Sequence, residues 1–102
     1  MTKGSLKQSI AYWCFNVGGE QWSLEKICQV AKELHCESVE LVDTEEELSV
    51  IYEQGLKCAL FGMNMHPHPP FTHGYNNPDN WDRLFEQTKK GIDAASRYGC
   101  PN

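Results

Sequence analysis

Apolar side chains along this chain switch between two spacings, and each switch marks a change of secondary structure. Ser9–Phe15 (Ser-Ile-Ala-Tyr-Trp-Cys-Phe) is apolar on both sides of an extended backbone, with Ile10, Tyr12 and Cys14 on one side and Ala11, Trp13 and Phe15 on the other. A strand of this kind belongs in a sheet covered on both faces or in a barrel wall. Asn16-Val17-Gly18-Gly19 breaks it. The spacing then becomes helical, with Leu24, Ile27, Cys28, Ala31 and Leu34 forming one stripe. Ser23 is a suitable N-cap, and Glu25 in the first turn complements the helix dipole. The helix should end near His35-Cys36. Glycine is the usual residue after such a helix, so His35 is expected to adopt a left-handed backbone.

Ser38–Val42 predicts a second strand, with Val39 and Leu41 packed against helices and Glu40 directed to the other side of the sheet. Thr44-Glu45-Glu46-Glu47 has the form of a capping box, Leu48, Ile51 and Tyr52 give that helix its apolar side, and Gly55 stops it. Cys58–Met63 predicts the third strand. Residues 64–77 carry three prolines, three histidines and a glycine, which excludes regular structure. So long a structureless connection is often functional. Pro78 or Asn80 opens the last helix, with Leu84, Phe85, Thr88, Ile92 and Ala95 expected on its inner side and Gly99 as its stop. Cys100-Pro101-Asn102 reads as the loop into a further strand.

Strand–helix alternation of this kind defines a parallel α/β protein, which normally needs more than three units to close its sheet. The expected fold is therefore the first three βα units of a (β/α)8 TIM barrel, with residues 1–102 as a single partial domain from the N-terminal part of that barrel.

Charge and cysteine content narrow the function. A net charge of −5 with nine scattered basic residues argues against a nucleic-acid surface. The five cysteines are odd in number and contain no C-x-x-C pair, so reduced thiols in a cytoplasmic protein are expected rather than a disulfide framework or a zinc knuckle. No apolar run approaches the roughly 20 residues that cross a membrane, and no membrane partner is expected.

In α/β proteins the chemistry gathers in loops leaving the C-terminal ends of the strands, here residues 16–22, 43–44 and 64–77. Glu40 is either a structural hydrogen-bond anchor or a substrate contact on the barrel side. His66, His68 and His73 resemble a metal tract, but prolines interrupt them and no acid or cysteine lies in their loop. No metal ligand is assigned there. His66, just beyond strand three, is the histidine best placed to reach a pocket rim. Trp13 and Phe15 at the end of strand one, with Phe71 and Tyr75 in the long loop, are either pocket walls or ordinary core. Asp43 closes strand two and also precedes the Thr44 cap. No nucleophile elbow, phosphate-binding glycine loop or dinucleotide fingerprint occurs.

The series Ser9–Phe15, Ser38-Val39-Glu40-Leu41-Val42, Gly55-Leu56-Lys57-Cys58-Ala59-Leu60, Gly91-Ile92-Asp93-Ala94-Ala95 and Tyr98-Gly99-Cys100-Pro101-Asn102 resembles the start of the hydroxypyruvate isomerase-like proteins. These belong to the xylose isomerase-like TIM-barrel superfamily of sugar isomerases and epimerases. The likeness runs over nearly the whole chain and covers about two-fifths of a barrel of roughly 250 residues. It departs at His35, where a glycine is usual.

The resemblance implies aldose–ketose isomerisation or epimerisation of a small sugar or hydroxy acid. In that chemistry a divalent metal, Mg²⁺ or Mn²⁺, stabilises a developing oxyanion while glutamates move the α proton. The family's metal ligands and both glutamates lie on later strands and have no counterpart here. No catalytic residue is carried over, and the chain alone is expected to be inactive. The family draws pocket walls from its first three strands, where Trp13, Phe15 and Glu40 are the substrate-contact candidates of this chain, and His66 fits the family's histidine at the end of strand three. Two other functions remain open on the residues alone. One is a non-enzymatic self-associating α/β module that pairs through exposed sheet edges. The other is a doubly wound nucleotide-binding domain, against which the missing phosphate loop counts.

Overall fold

The computed structural model describes residues 6–16, 18–64, 66 and 72–102. Among them the chain is α/β: a three-stranded parallel sheet of β1 (Ser9–Ala11), β2 (Ser38–Glu40) and β3 (Lys57–Cys58), with helices α1 (Leu24–Glu33), α2 (Glu45–Glu53) and α3 (Trp81–Tyr98). Strand order is β1-β2-β3. The register pairs Ile10 with Val39 and Val39 with Cys58. Helix α1 packs on β1, β2 and α2, while α2 packs on β3 and α3, so the helices form one layer on one face of the sheet. The core lies between that layer and the strands. Ile27, Cys28, Ala31, Val39, Leu48, Ile51 and Cys58 are essentially inaccessible to solvent.

Local signals explain the helix boundaries. Ser23 Oγ accepts from the Lys26 amide at 3.2 Å. Thr44 and Glu47 form the reciprocal capping box: Thr44 Oγ1 accepts from the Glu47 amide at 3.2 Å, and Glu47 Oε1 accepts from the Thr44 amide at 3.1 Å. Gly55 and Gly99 both sit in the left-handed region. His35 does too, with φ 60°, as expected for a helix stop lacking glycine.

Several expectations are corrected. The first strand does not run to Phe15. It ends at Ala11, and Tyr12–Phe15 forms a 3-10 turn closed by the Asn16 amide on the Trp13 carbonyl at 3.2 Å. The cause lies in its neighbour, because β2 offers a ladder only to Glu40. Leu41 has φ 64° and is 39% exposed, whereas Val42 is 1% exposed. One left-handed residue shifts the alternation, so Val42 takes the buried place expected for Leu41. The third strand is likewise shorter and starts earlier than Cys58–Met63, with only an isolated bridge from Phe61 to Val42 beyond it. Leu34, Phe85 and Ile92 are exposed rather than inward, and Ala94 joins the core instead. His68 and Phe71 lie outside the described residues. Among the described residues no helix is long and apolar enough to cross a membrane.

Candidate functional site

The C-terminal ends of β2 and β3 open onto a groove of about 460 Å³, walled by the start of α2 on one side and by α3 on the other. Phe61 and Gly91 belong to its lining; Asp43, Asn64 and His66 supply polar groups from the strand ends, and Gln87 and Lys90 supply them from α3. A site at this edge is what a parallel sheet provides, because the strands direct their outgoing loops to one rim.

The Asp43 carboxyl is displaced upward from its ordinary range. Loss of water around it, then the neighbouring Glu47 carboxylate, push its carboxyl above the usual range, with the His66 imidazole opposing in part. Glu47 itself is held by the capping box, and its Oε1 also accepts from the Asp43 amide at 3.1 Å. At the far end of the groove Arg97 holds Glu45 through two hydrogen bonds, Nε to Oε1 at 2.7 Å and Nη2 to Oε2 at 2.8 Å. That pair ties α3 to α2.

His66 is exposed. Its amide donates to Asn64 Oδ1 at 2.8 Å, and its carbonyl accepts from Gln87 Nε2 at 3.3 Å. Gln87 is fixed in turn by Arg83, whose Nη1 donates to Gln87 Oε1 at 2.8 Å. Arg83 and Gln87 were not singled out from the sequence. Their signal was available, since Arg83, Gln87 and Lys90 recur at helical spacing along α3.

The other candidates stand elsewhere. Trp13 and Phe15, 50% and 42% exposed, belong to the turn after β1, and neither lines the groove of His66. Phe15 stacks on Trp22 with ring centroids 5.4 Å apart, and Lys26 Nζ lies 4.2 Å above the Trp22 ring. Glu40 is half-buried opposite Ala11 in the register. Alternation from buried Val39 puts it on the sheet face away from the helices. Tyr75 is held through its hydroxyl against Thr88 Oγ1 at 2.6 Å, while its carbonyl accepts from Trp81 Nε1 at 2.6 Å. His73 pairs with Thr72 through Nδ1 and Oγ1 at 2.8 Å.

A second cluster of reactive type lies under β3. The Cys58 amide donates to Tyr52 Oη at 3.4 Å, and Tyr52 Oη lies 3.9 Å from Cys100 Sγ. Burial, then the neighbouring Cys100, push the Cys58 thiol up to about 12. All five cysteines are unbridged.

Comparison with protein-family models, with curated proteins and with solved structures gave no match.

Proposed function

We propose that this chain forms the first three βα units of a TIM barrel of the sugar isomerase and epimerase kind, resembling hydroxypyruvate isomerase. It supplies wall and rim, while the electrophile and the proton-moving glutamates belong to later strands. The substrate class is a small sugar or hydroxy acid, the metal Mg²⁺ or Mn²⁺, and the compartment the reducing cytoplasm. On this reading the metal's ligands belong to those later strands. Trp13, Phe15 and Glu40 are the wall positions, and His66 is the rim histidine.

One observation carries the reading. After α3 the backbone returns to the outer edge of β3, where the Phe61 amide donates to the Asn102 carbonyl at 2.9 Å. A strand following that contact would add to the sheet beyond β3. In a doubly wound nucleotide-binding sheet ordered β3-β2-β1, the chain would cross back to the edge of β1. Growth in one direction with helices on one face is barrel logic. The experiment is an isomerisation assay on this chain with hydroxypyruvate and Mg²⁺ or Mn²⁺. The expected result is no metal-dependent turnover, and a robust rate would overturn the assignment of the chemistry to later strands.

A second reading, a self-associating module without catalysis, is favoured by the stripe of Trp81, Phe85 and Ile92 on α3, which are 52%, 59% and 62% exposed. Such apolar surface commonly marks contact with another chain or segment. Gel filtration separates the two: concentration-dependent dimers or larger species support the module, and a monomer at all concentrations removes it.

A further inference from the structure

The five thiols are not equivalent. Cys14 is exposed in the turn after β1, Cys28 is buried on α1, and Cys36 follows that helix. Cys58 and Cys100 meet beside β3, although a long loop and the whole of α3 separate them along the chain. Each is held by its own backbone. Cys58 pairs with Val39, is fully buried, and its Sγ donates to the Leu60 carbonyl at 3.4 Å. Cys100 is placed by the end of α3: Gly99 takes the left-handed turn, and the Cys100 amide donates back to the Ala95 carbonyl at 2.8 Å.

Register brings the two side by side. The Lys57 amide donates to the Glu37 carbonyl while Lys57 pairs with Ser38, which is the offset of a parallel ladder. The same offset, applied to the bond from the Phe61 amide to the Asn102 carbonyl and counted back along both segments, sets Cys100 next to Cys58. Neighbouring strands stand about 4.8 Å apart, inside the Cα separation of roughly 4.4–6.8 Å that a disulfide accepts. Tyr52 touches both residues: its Oη accepts from the Cys58 amide at 3.4 Å and lies 3.9 Å from Cys100 Sγ. The thiols also act on each other. Burial first, and then Cys100 through its charge and a hydrogen bond, keep Cys58 protonated at neutral pH.

We propose that Cys58 and Cys100 are a redox-sensitive pair, closed to a disulfide by a low-molecular-weight disulfide and reopened by small thiols. Half-buried Cys100 is the entry point. Its thiolate attacks one sulfur of the small disulfide, forming a mixed disulfide and releasing one thiolate. Cys58 then attacks the Cys100 sulfur and expels the second. The two cysteines are oxidised, the small disulfide is reduced to two thiols, and the two cysteine protons end on those thiols. The closed form ties the end of α3 to β3 beside the Phe61–Asn102 contact. Disulfides of cytosolic proteins are usually transient and sensing, in keeping with a bond made only on exposure to oxidant. None of this rests on the isomerase reading.

The test is incubation of the folded chain with oxidised glutathione, alkylation of the remaining thiols in urea, tryptic digestion and mass spectrometry. Trypsin leaves each of the five cysteines on a different peptide. The expected product is peptide 58–83 joined to peptide 98–102, lost on addition of dithiothreitol. Cys58→Ser should stop the reaction with glutathione on Cys100. Cys100→Ser should leave Cys58 a free thiol, a readout that does not depend on the buried substitution folding. In the oxidised chain the Phe61 amide should exchange at least about 10-fold more slowly. Cys100 carrying only glutathione while Cys58 stays free, Cys100 joined instead to Cys14 or Cys36, glutathione on Cys58 in folded Cys100→Ser, or unchanged exchange at Phe61 would overturn the proposal.

Discussion

The amide of Phe61 meets the carbonyl of Asn102 at 2.9 Å, while the next amide, Gly62, donates at 2.8 Å to Val42 on the opposite edge. Phe61 and Gly62 thus hold two neighbours at once, β2's extension on one side and the segment after α3 on the other. Deleting residues 100–102 should speed hydrogen exchange at the Phe61 amide and leave Gly62 protected. Equal protection of Phe61 in both forms, read by NMR, would mean that the Asn102 contact does not hold that edge.

The left-handed backbone at His35 places a Cβ where L residues are strained. His35→Gly should raise stability by roughly 0.5–1 kcal/mol, the strain relieved less the extra freedom of glycine in the unfolded chain. Urea unfolding measures it. A decrease would mean that the His35 side chain contributes more than its backbone costs.

Asp43 gives a pH signature. Its carboxyl is raised in the folded state by desolvation and by Glu47, so the folded chain favours the protonated form. Its contribution is complete below the unfolded carboxyl value of about 3.9 and is lost as pH rises through the higher folded value. Asp43→Asn should therefore raise Tm at neutral pH, and the gain should vanish near pH 3. Thermal melts across that range decide it; a variant less stable at pH 7 would show that the Asp43 charge is held favourably.

Thiol access should follow burial. Cys14 is exposed, whereas Cys28 and Cys58 are buried and Cys58 is protonated at neutral pH. Iodoacetamide at pH 8 under native conditions should label Cys14 first and spare Cys58, with peptide mass spectrometry as the readout. Early labelling of Cys58 would indicate that β3 opens readily.

The helices were legible because their signals are local: Ser23, the Thr44–Glu47 box, Gly55 and Gly99 act within one turn of their own positions. The strands were legible as apolar runs but not in length. Where β1 stops depends on how far β2 offers it a ladder, which is a non-local fact. Leu41 shows the same limit, since its left-handed turn exchanges its burial with Val42 although nothing in Val39-Glu40-Leu41-Val42 marks the turn. The groove was only partly foreseen. His66, placed after strand three, does line it, but Gln87 reaches it only because α3 brings that side chain to the base of the His66 loop, across a separation no periodicity encodes. Trp13 and Phe15 were grouped with His66 by strand position, whereas the turn after Ala11 carries them to Trp22.

The claim that this chain is a barrel wall awaiting its reactive strands is tested most directly by complementation. The chain is mixed with the remaining five βα units of a hydroxypyruvate isomerase-like protein, with Mn²⁺ and hydroxypyruvate, and isomerisation is measured. The account predicts metal-dependent turnover in the mixture and none from either part alone. Turnover by this chain by itself, or a mixture in which the two parts neither associate nor react, would contradict it.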